Sequence, residues 1–312
     1  MFLLTLTWIL LDVLLLTCGG LLINAQSSGF RDREALRFAT DVGLPLVSDT
    51  VHDAVRRHVR VRASAMAVGG TVGLVVSAAV LLASPSLGSA SFVWLITAPA
   101  ILSAMATVEV AVSLRESLFR HRDGVPRVAR SSAPTLADYV SLWRLRLAPV
   151  CELVAVILCA VGVALGILGS IDLAAFLGGA ALPFLLVSLV VAAASMVAQR
   201  RILRESQPVS DTLELAWDDA FRGETLRGLR MVQSLIAWLA VAAAGLGILQ
   251  ALDALVGTNW GTGAGPQLFT WGWLFIFAAF TFGRARTQFR ARLWPDVAGI
   301  TEGRSGMDSE RG

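Results

Sequence analysis

The chain has 312 residues, of which 55% are apolar and only 16% are charged, and its formal net charge is +3. A soluble domain of this size carries about 25% charged residues, so the composition excludes an ordinary soluble globular protein. The net charge is small, and no block of basic residues is interleaved with aromatic ones. We therefore expect no nucleic-acid partner.

Every one of the 26 basic residues is an arginine. A P-loop needs a lysine on the phosphates, and retinal and pyridoxal phosphate need a lysine amine, so the sequence excludes these sites. It contains no HExxH motif and no Cys/His spacing typical of a metal site. We therefore predict a protein that is not an enzyme and that carries neither a cofactor nor a metal ion.

The arginines are confined to four polar segments, and the polar connections between the other apolar stretches carry none. The four segments are Arg31–Arg62, Arg115–Arg146, Arg200–Arg230 and Arg284–Arg311. Arginine and lysine collect on the cytoplasmic flanks of membrane helices. The alternation therefore predicts that all four segments face the cytoplasm, with the N-terminus outside and the C-terminus inside.

Seven stretches are long and apolar enough to cross a bilayer, which takes about 20 residues. They cover residues 2–25, 63–83, 92–114, 147–169, 174–197, 231–256 and 268–283, and the last is the shortest. The sequence thus predicts an all-α integral membrane protein, a bundle of about seven transmembrane helices in the cytoplasmic (inner) membrane of a bacterium. Residues 1–297 would form a single membrane domain, and residues 298–312 a disordered cytoplasmic tail.

The chain contains an internal repeat. Gly166–Asp172 matches Gly247–Asp253 at an offset of 81, and the same offset pairs Glu152 with Gln233. A proline followed closely by an aspartate recurs in each arginine segment, which is typical of the start of a short amphipathic helix. We predict repeated parallel hairpins behind one leading helix. Such repeats are common in transporters, and they are equally compatible with growth of a gene by duplication alone.

Asp12 lies in the middle of the first predicted span. An ionised carboxylate at that depth costs about 2.5–3.5 kcal/mol, so it should face the bundle and have a partner. One interpretation is a proton or cation site. The other is a neutral carboxyl group that is hydrogen-bonded to a neighbouring helix.

Glu109 and Glu152 each lie about five residues inside the cytoplasmic end of a predicted span, and so they could share one depth. Two adjacent carboxylates can hold a proton or a cation between them. The alternative, favoured by the shallow depth, is that each one pairs with a loop arginine such as Arg115 or Arg146. With Asp12 and Gln233, they form the candidate intramembrane polar site.

The arginine segments also offer candidate docking residues for a cytoplasmic protein. Leu213, Trp217 and Phe221 fall on one stripe of a predicted helix, and Trp143 lies on a predicted interfacial helix, Tyr139–Arg146. The plainer interpretation is that the recurring proline and aspartate mark only the start of a short helix.

Two glycine pairs, Gly69/Gly73 and Gly162/Gly166, have the spacing of close helix contacts. The spacing is compatible with a homo-oligomer, but packing within one bundle is favoured.

The stretches Arg127–Arg130 and Pro134–Val140 resemble a loop found in polytopic membrane proteins of unknown function from high-GC Gram-positive bacteria. The resemblance covers about 14 residues. It implies an accessory role in transport or envelope physiology, and it assigns no functional residue.

From these features we expect a non-catalytic, transport-related component, either permease-like or accessory, whose polar interior is formed by Asp12, Glu109 and Glu152. The alternative is a membrane scaffold or regulator that docks a cytoplasmic partner through its arginine-rich loops. Besides such a cytoplasmic protein, the expected partner is the lipid bilayer.

Overall fold

The structure is a computed structural model that describes residues 22–46, 49–83, 90–119, 134–205, 212–261, 264–281 and 288–294, with Leu16, Gly19 and Gly20. Within these ranges every regular element longer than one turn is an α-helix. The first helices are α1 (Ser28–Val42), α2 (Asp49–Ala83), α3 (Ala90–Phe119), α4 (Leu136–Tyr139) and α5 (Leu142–Ile167). They are followed by α6 (Leu173–Gly178), α7 (Ala181–Arg204), α8 (Thr212–Val256), α9 (Ala264–Thr281) and α10 (Gln288–Leu293).

Five of the described helices contain a segment long and apolar enough to cross a membrane. These segments are Val51–Val80, Thr97–Arg115, Leu142–Ile167, Ala181–Arg204 and Thr212–Val256. The predicted span at 2–25 lies mostly outside the described residues. Helix α9 covers most of the predicted span at 268–283 but is not one of the five. The prediction of an all-helical chain is confirmed for the described residues, as is the presence of helices long and apolar enough to span a membrane.

Three of the four helix starts predicted by the proline–aspartate pattern are observed, at Asp49, Leu136 and Thr212, and the fourth lies outside the described residues. Two of these helices are much longer than expected. Helix α4 has the capping box predicted from Thr135 and Asp138, in which the Thr135 backbone nitrogen donates to Asp138 Oδ2 at 2.7 Å. By contrast, α2 and α8 run for 35 and 45 residues without a break from the arginine segments into the apolar stretches. Neither helix contains a proline, and so nothing interrupts the backbone hydrogen bonds at the polar–apolar boundary.

Helix α8 is the central element of the bundle. It packs against α3, α5, α7 and α9. Its middle turns are built from small residues, including Ala237, Ala240 and Ala244, which are completely buried. Small side chains let neighbouring helices approach closely on several sides. At 1.5 Å per residue α8 is about 68 Å long, more than twice the hydrocarbon thickness of a bilayer.

The pair Gly69 and Gly73 packs α2 directly against the backbone of α3. A Cβ atom on Gly73 would lie 2.5 Å from the Cα of Ile101, and one on Gly69 would lie 2.6 Å from the carbonyl oxygen of Ala104. Both distances are far shorter than a normal contact between carbon and backbone atoms. The pair therefore serves packing within the chain, as favoured from the sequence.

The predicted span at 174–197 is divided into two helices. Helix α6 ends at Gly178, and α7 begins at Ala181 after Gly179 and Ala180. Glycine is a poor helix former, so the two adjacent glycines permit the break. The short helix places the ring of Phe176 against Gly162 of α5 and Gly247 of α8. A Cβ atom on Gly162 would lie 2.2 Å from this ring and collide with it, whereas one on Gly247 would make a tight contact at 3.3 Å.

The interfacial helix predicted over Tyr139–Arg146 is also divided. Tyr139 ends α4, while Val140 and Ser141 have extended backbone conformations. Helix α5 then begins at Leu142 and continues into the apolar stretch. The break allows Tyr139 to turn into the protein, where only 2% of it is exposed.

Candidate functional sites on the central helix

A buried ionic cluster surrounds Glu224 on α8. Only 8% of Glu224 is exposed. Its Oε1 atom accepts hydrogen bonds from Arg62 on α2 and from Nη2 of Arg227, the latter at 3.0 Å. The Nε2 atom of His58 lies 3.2 Å from the other oxygen, Oε2. Both carboxylate oxygens therefore have a partner.

The cluster extends to Glu109, one of the predicted site residues. Nε of Arg62 lies 2.7 Å from Oε1 of Glu109 on α3. Arg62 thus joins two carboxylates from different helices. Arg62 and Arg227 contribute two positive formal charges, and Glu109 and Glu224 contribute two negative ones. This balance offsets the cost of removing charges from water, which is high for an unpaired ion.

Glu152 and Gln233 form a second polar contact, separated by the repeat offset of 81 residues. Nε2 of Gln233 donates to Oε1 of Glu152 at 3.0 Å, and Nη1 of Arg230 donates to Oε1 of Gln233, also at 3.0 Å. The two positions that the repeat equates therefore bind each other. Glu109 and Glu152 have different partners in the described structure, and neither lines the groove described below.

The predicted docking stripe on α8 packs inside the protein. Trp217 is only 3% exposed, and its Nε1 donates to the carbonyl oxygen of Pro45 at 3.3 Å. Phe221 stacks on Phe38 of α1 and lies 4.5 Å from the His58 ring, measured between ring centroids. Leu213 is half-buried beside the same core. A partner would have to displace α1 to reach Trp217.

Trp143, the other candidate docking residue, lies on the surface. It is 48% exposed in the first turn of α5, with the guanidinium carbon of Arg144 4.9 Å from its ring centroid. The Nε atom of Arg144 donates to the carbonyl oxygen of Ala279 near the end of α9. Trp143 is therefore accessible. Asp12 lies outside the described residues.

Another buried carboxylate, Asp219, holds the segment beyond α10 against α8. Asp219 is completely buried and accepts hydrogen bonds at 2.9 Å from the hydroxyl of Tyr139 and from Nε1 of Trp294. These bonds connect the end of α4, the N-terminal part of α8 and the residue after α10. They stabilise the same polar end of the bundle that contains Glu224.

An apolar groove of about 1000 Å³ lies along the opposite half of α8. Its floor is the face of α8 between Leu239 and Leu255. One side is formed by α2 and α3, and the other by α6, α7 and the turn before them. At 1.5 Å per residue the centre of this floor is about 35 Å from Glu224, so the groove and the ionic cluster are separate sites.

The polar side chains of the groove are few. Ser77 lies in its α2 wall and donates to the carbonyl oxygen of Gly73 at 2.7 Å, so its hydroxyl is occupied within its own helix. Asp172 lies at one end, where its Oδ1 accepts from the backbone nitrogen of Ala175 at 3.1 Å. Asp172 is the one charged residue lining the groove among those described.

One sequence pattern does indicate that Glu224 is buried. The apolar stripe of Leu213, Trp217 and Phe221 continues at helical spacing to Glu224. A carboxylate on an apolar stripe must be buried with partners, but nothing in the spacing identifies His58 or Arg62. The groove had no such signal, because it depends on where separate helices fail to meet.

No protein-family model matches this sequence, and no similar curated protein or solved structure was found.

Proposed function

We propose that this chain is a multi-pass protein of the bacterial cytoplasmic membrane with a non-catalytic, transport-related role, as a permease-like or accessory component. The observation that carries the proposal is the groove of about 1000 Å³ along α8, between helices suited to a membrane. Pockets for small molecules measure about 300–1,000 Å³ and are mostly apolar with few polar groups. The groove meets both criteria.

The proposal includes seven spans in repeated parallel hairpins, with the N-terminus outside. In support, the helix starts at Asp49 and Thr212 follow prolines in arginine segments, and α2 and α8 run from there into apolar stretches. The groove would then lie in the outer half of the membrane, and the Glu224 cluster at the cytoplasmic side. The cluster would hold α2, α3 and α8 together while an apolar molecule moves along the groove.

Flux measurements test this role. Purified full-length chain is reconstituted in proteoliposomes with fluorescent amphiphiles that carry cationic, neutral or anionic heads. A permease-like chain should move at least one class faster than both protein-free vesicles and vesicles holding the thermally unfolded chain. An accessory chain should show this flux only in inverted membrane vesicles of its own cells, and lose it when the gene is deleted. If the rates for all three classes equal those of the controls in both systems, the proposal is contradicted.

The alternative, a scaffold that docks a cytoplasmic protein, is favoured by a different observation. Arg33, Leu36 and Arg37 are exposed on α1, the helix whose Phe38 packs against His58 of the ionic cluster, and α1 lies in an arginine segment. Crosslinking from Leu36→Cys would capture a specific partner if the scaffold role holds. With such a partner and no flux in either system, the scaffold role would replace the transport role.

A further inference from the structure

The described residues that line the groove are uncharged except for Asp172, which lies at one end. Its floor includes Ala243, Gly247 and Ala251, which follow one another at four-residue spacing along α8. These small side chains leave an open track. From Leu239 to Leu255 the track is about 24 Å long, compared with about 30 Å for the whole hydrocarbon core of a bilayer.

The sides of the groove are apolar and partly exposed. Val76 of α2 is 50% exposed and Phe184 of α7 is 40% exposed, and both line the groove. In a membrane these side chains face lipid, so the groove opens sideways into the bilayer and not into water. Apolar cavities stay dry and bind apolar molecules. A hydrocarbon chain is therefore the matching occupant for the length of the groove.

The end of the groove carries negative charge. Asp172 contributes a carboxylate, and no arginine or histidine lines the groove among the described residues. An anionic head would be repelled by this carboxylate without any basic group to compensate, whereas a positive head would be attracted. The charge therefore selects a cation for the polar end.

We propose that the groove binds an amphiphile with one alkyl chain and an ammonium head, the chain lying along α8 and the head beside Asp172. This inference rests on the proposed transport role and names its substrate class. An exposed ion pair is worth up to about 1 kcal/mol. The expected preference for an ammonium head over a head of opposite charge is thus about fivefold, since attraction is gained and repulsion is avoided.

Photolabelling tests the site. Two probes carry the same dodecyl chain with a diazirine group, one with a trimethylammonium head and the other with a sulfate head. Each is added to the full-length chain in a neutral detergent, and labelled peptides are located by mass spectrometry. The ammonium probe should label residues 169–184 and 239–255 about fivefold above the sulfate probe.

Two groove variants and one matched control sharpen the test. Ala243→Phe fills the track and should reduce labelling of both peptides to background. Ala193→Phe makes the same change on an exposed face of α7 outside the groove, and should leave labelling unchanged. Asp172→Asn keeps a residue that can cap α6, so it should preserve folding while bringing the two probes to similar labelling.

Three results would overturn the inference. Equal labelling by the two probes in the unmodified chain would refute the head selection. Unchanged labelling in Ala243→Phe would refute the groove as the site. Labelling that appears only after residues 2–15 are removed would show that the chain's own N-terminal segment fills the groove.

Binding without flux would refute the transport role alone, and flux that is insensitive to Ala243→Phe would refute this inference alone.

Discussion

Glu224 shows how the arrangement of the helices in this bundle depends on a single polar residue. Its carboxylate binds Arg62, Arg227 and His58, which come from two helices that meet only in the folded protein. Removing one partner from a buried ion cluster leaves the other charges without compensation. The network therefore stabilises one particular arrangement of α2, α3 and α8.

Glu224→Gln should lower the free energy of unfolding by about 3–5 kcal/mol, because Arg62 and Arg227 remain buried with only Glu109 to balance them. Thermal unfolding of the purified protein measures the effect as a lower melting temperature. Asp53→Asn is the control, since Asp53 is 73% exposed and its loss should change stability by less than about 0.5 kcal/mol. Equal melting temperatures for the two variants would show that the cluster does not stabilise the fold.

At the level of helices, close backbone contact determines how α2 and α3 pack. Gly69 and Gly73 leave room for the backbone between Ala100 and Met105 on the other helix. In a bilayer, helices gain little from burying apolar surface, so van der Waals contact of this kind drives their association. A single methyl group added at this contact should therefore lower the stability of the protein.

Gly73→Ala should destabilise the protein by about 1–3 kcal/mol, since its methyl group would lie 2.5 Å from the Cα of Ile101 and neither backbone can yield without a helix shift. Gly29→Ala is the matched control, because Gly29 also lies in a helix, α1, and a methyl group there meets nothing within 4 Å. Melting temperatures of both variants, measured in the same detergent, provide the comparison. An equal or larger loss for Gly29→Ala would contradict the packing argument.

For the whole molecule, the arrangement of charge relative to the membrane is the central prediction. The arginine segments lie at the ends of apolar stretches, and the Glu224 cluster lies at the arginine-bearing end of α8. If that end faces the cytoplasm, the groove opens toward the outer leaflet. The orientation thus determines from which side an amphiphile would enter.

Cysteines placed at Gly88 and Gly124, in a chain without native cysteines, test the orientation. Both positions lie outside the described residues, in connections that are expected on opposite sides of the membrane. A membrane-impermeant maleimide should label Gly88→Cys on intact cells and Gly124→Cys only on inverted vesicles. Labelling of both positions from the same side would overturn the proposed topology, and with it the location of the groove.

The sequence alone determined the all-helical class, the presence of helices long and apolar enough to span a membrane, and the starts of α2, α4 and α8. These features depend on hydropathy, on arginine position and on local signals such as Thr135 with Asp138, all of which are read along the chain. It also indicated that Gly69 and Gly73 serve close packing, and that positions 152 and 233 are related. It could not show that α2 and α8 continue unbroken through the polar boundary.

Only the tertiary structure decided which residues meet. His58 and Glu224 are 166 residues apart, and nothing in the local pattern links them. Trp217, a candidate for an exposed docking surface, is buried because α1 covers it, a contact between distant segments. The groove along α8 is likewise a space left by several helices together. Local patterns specify elements, whereas pairing and empty space arise only when the elements pack.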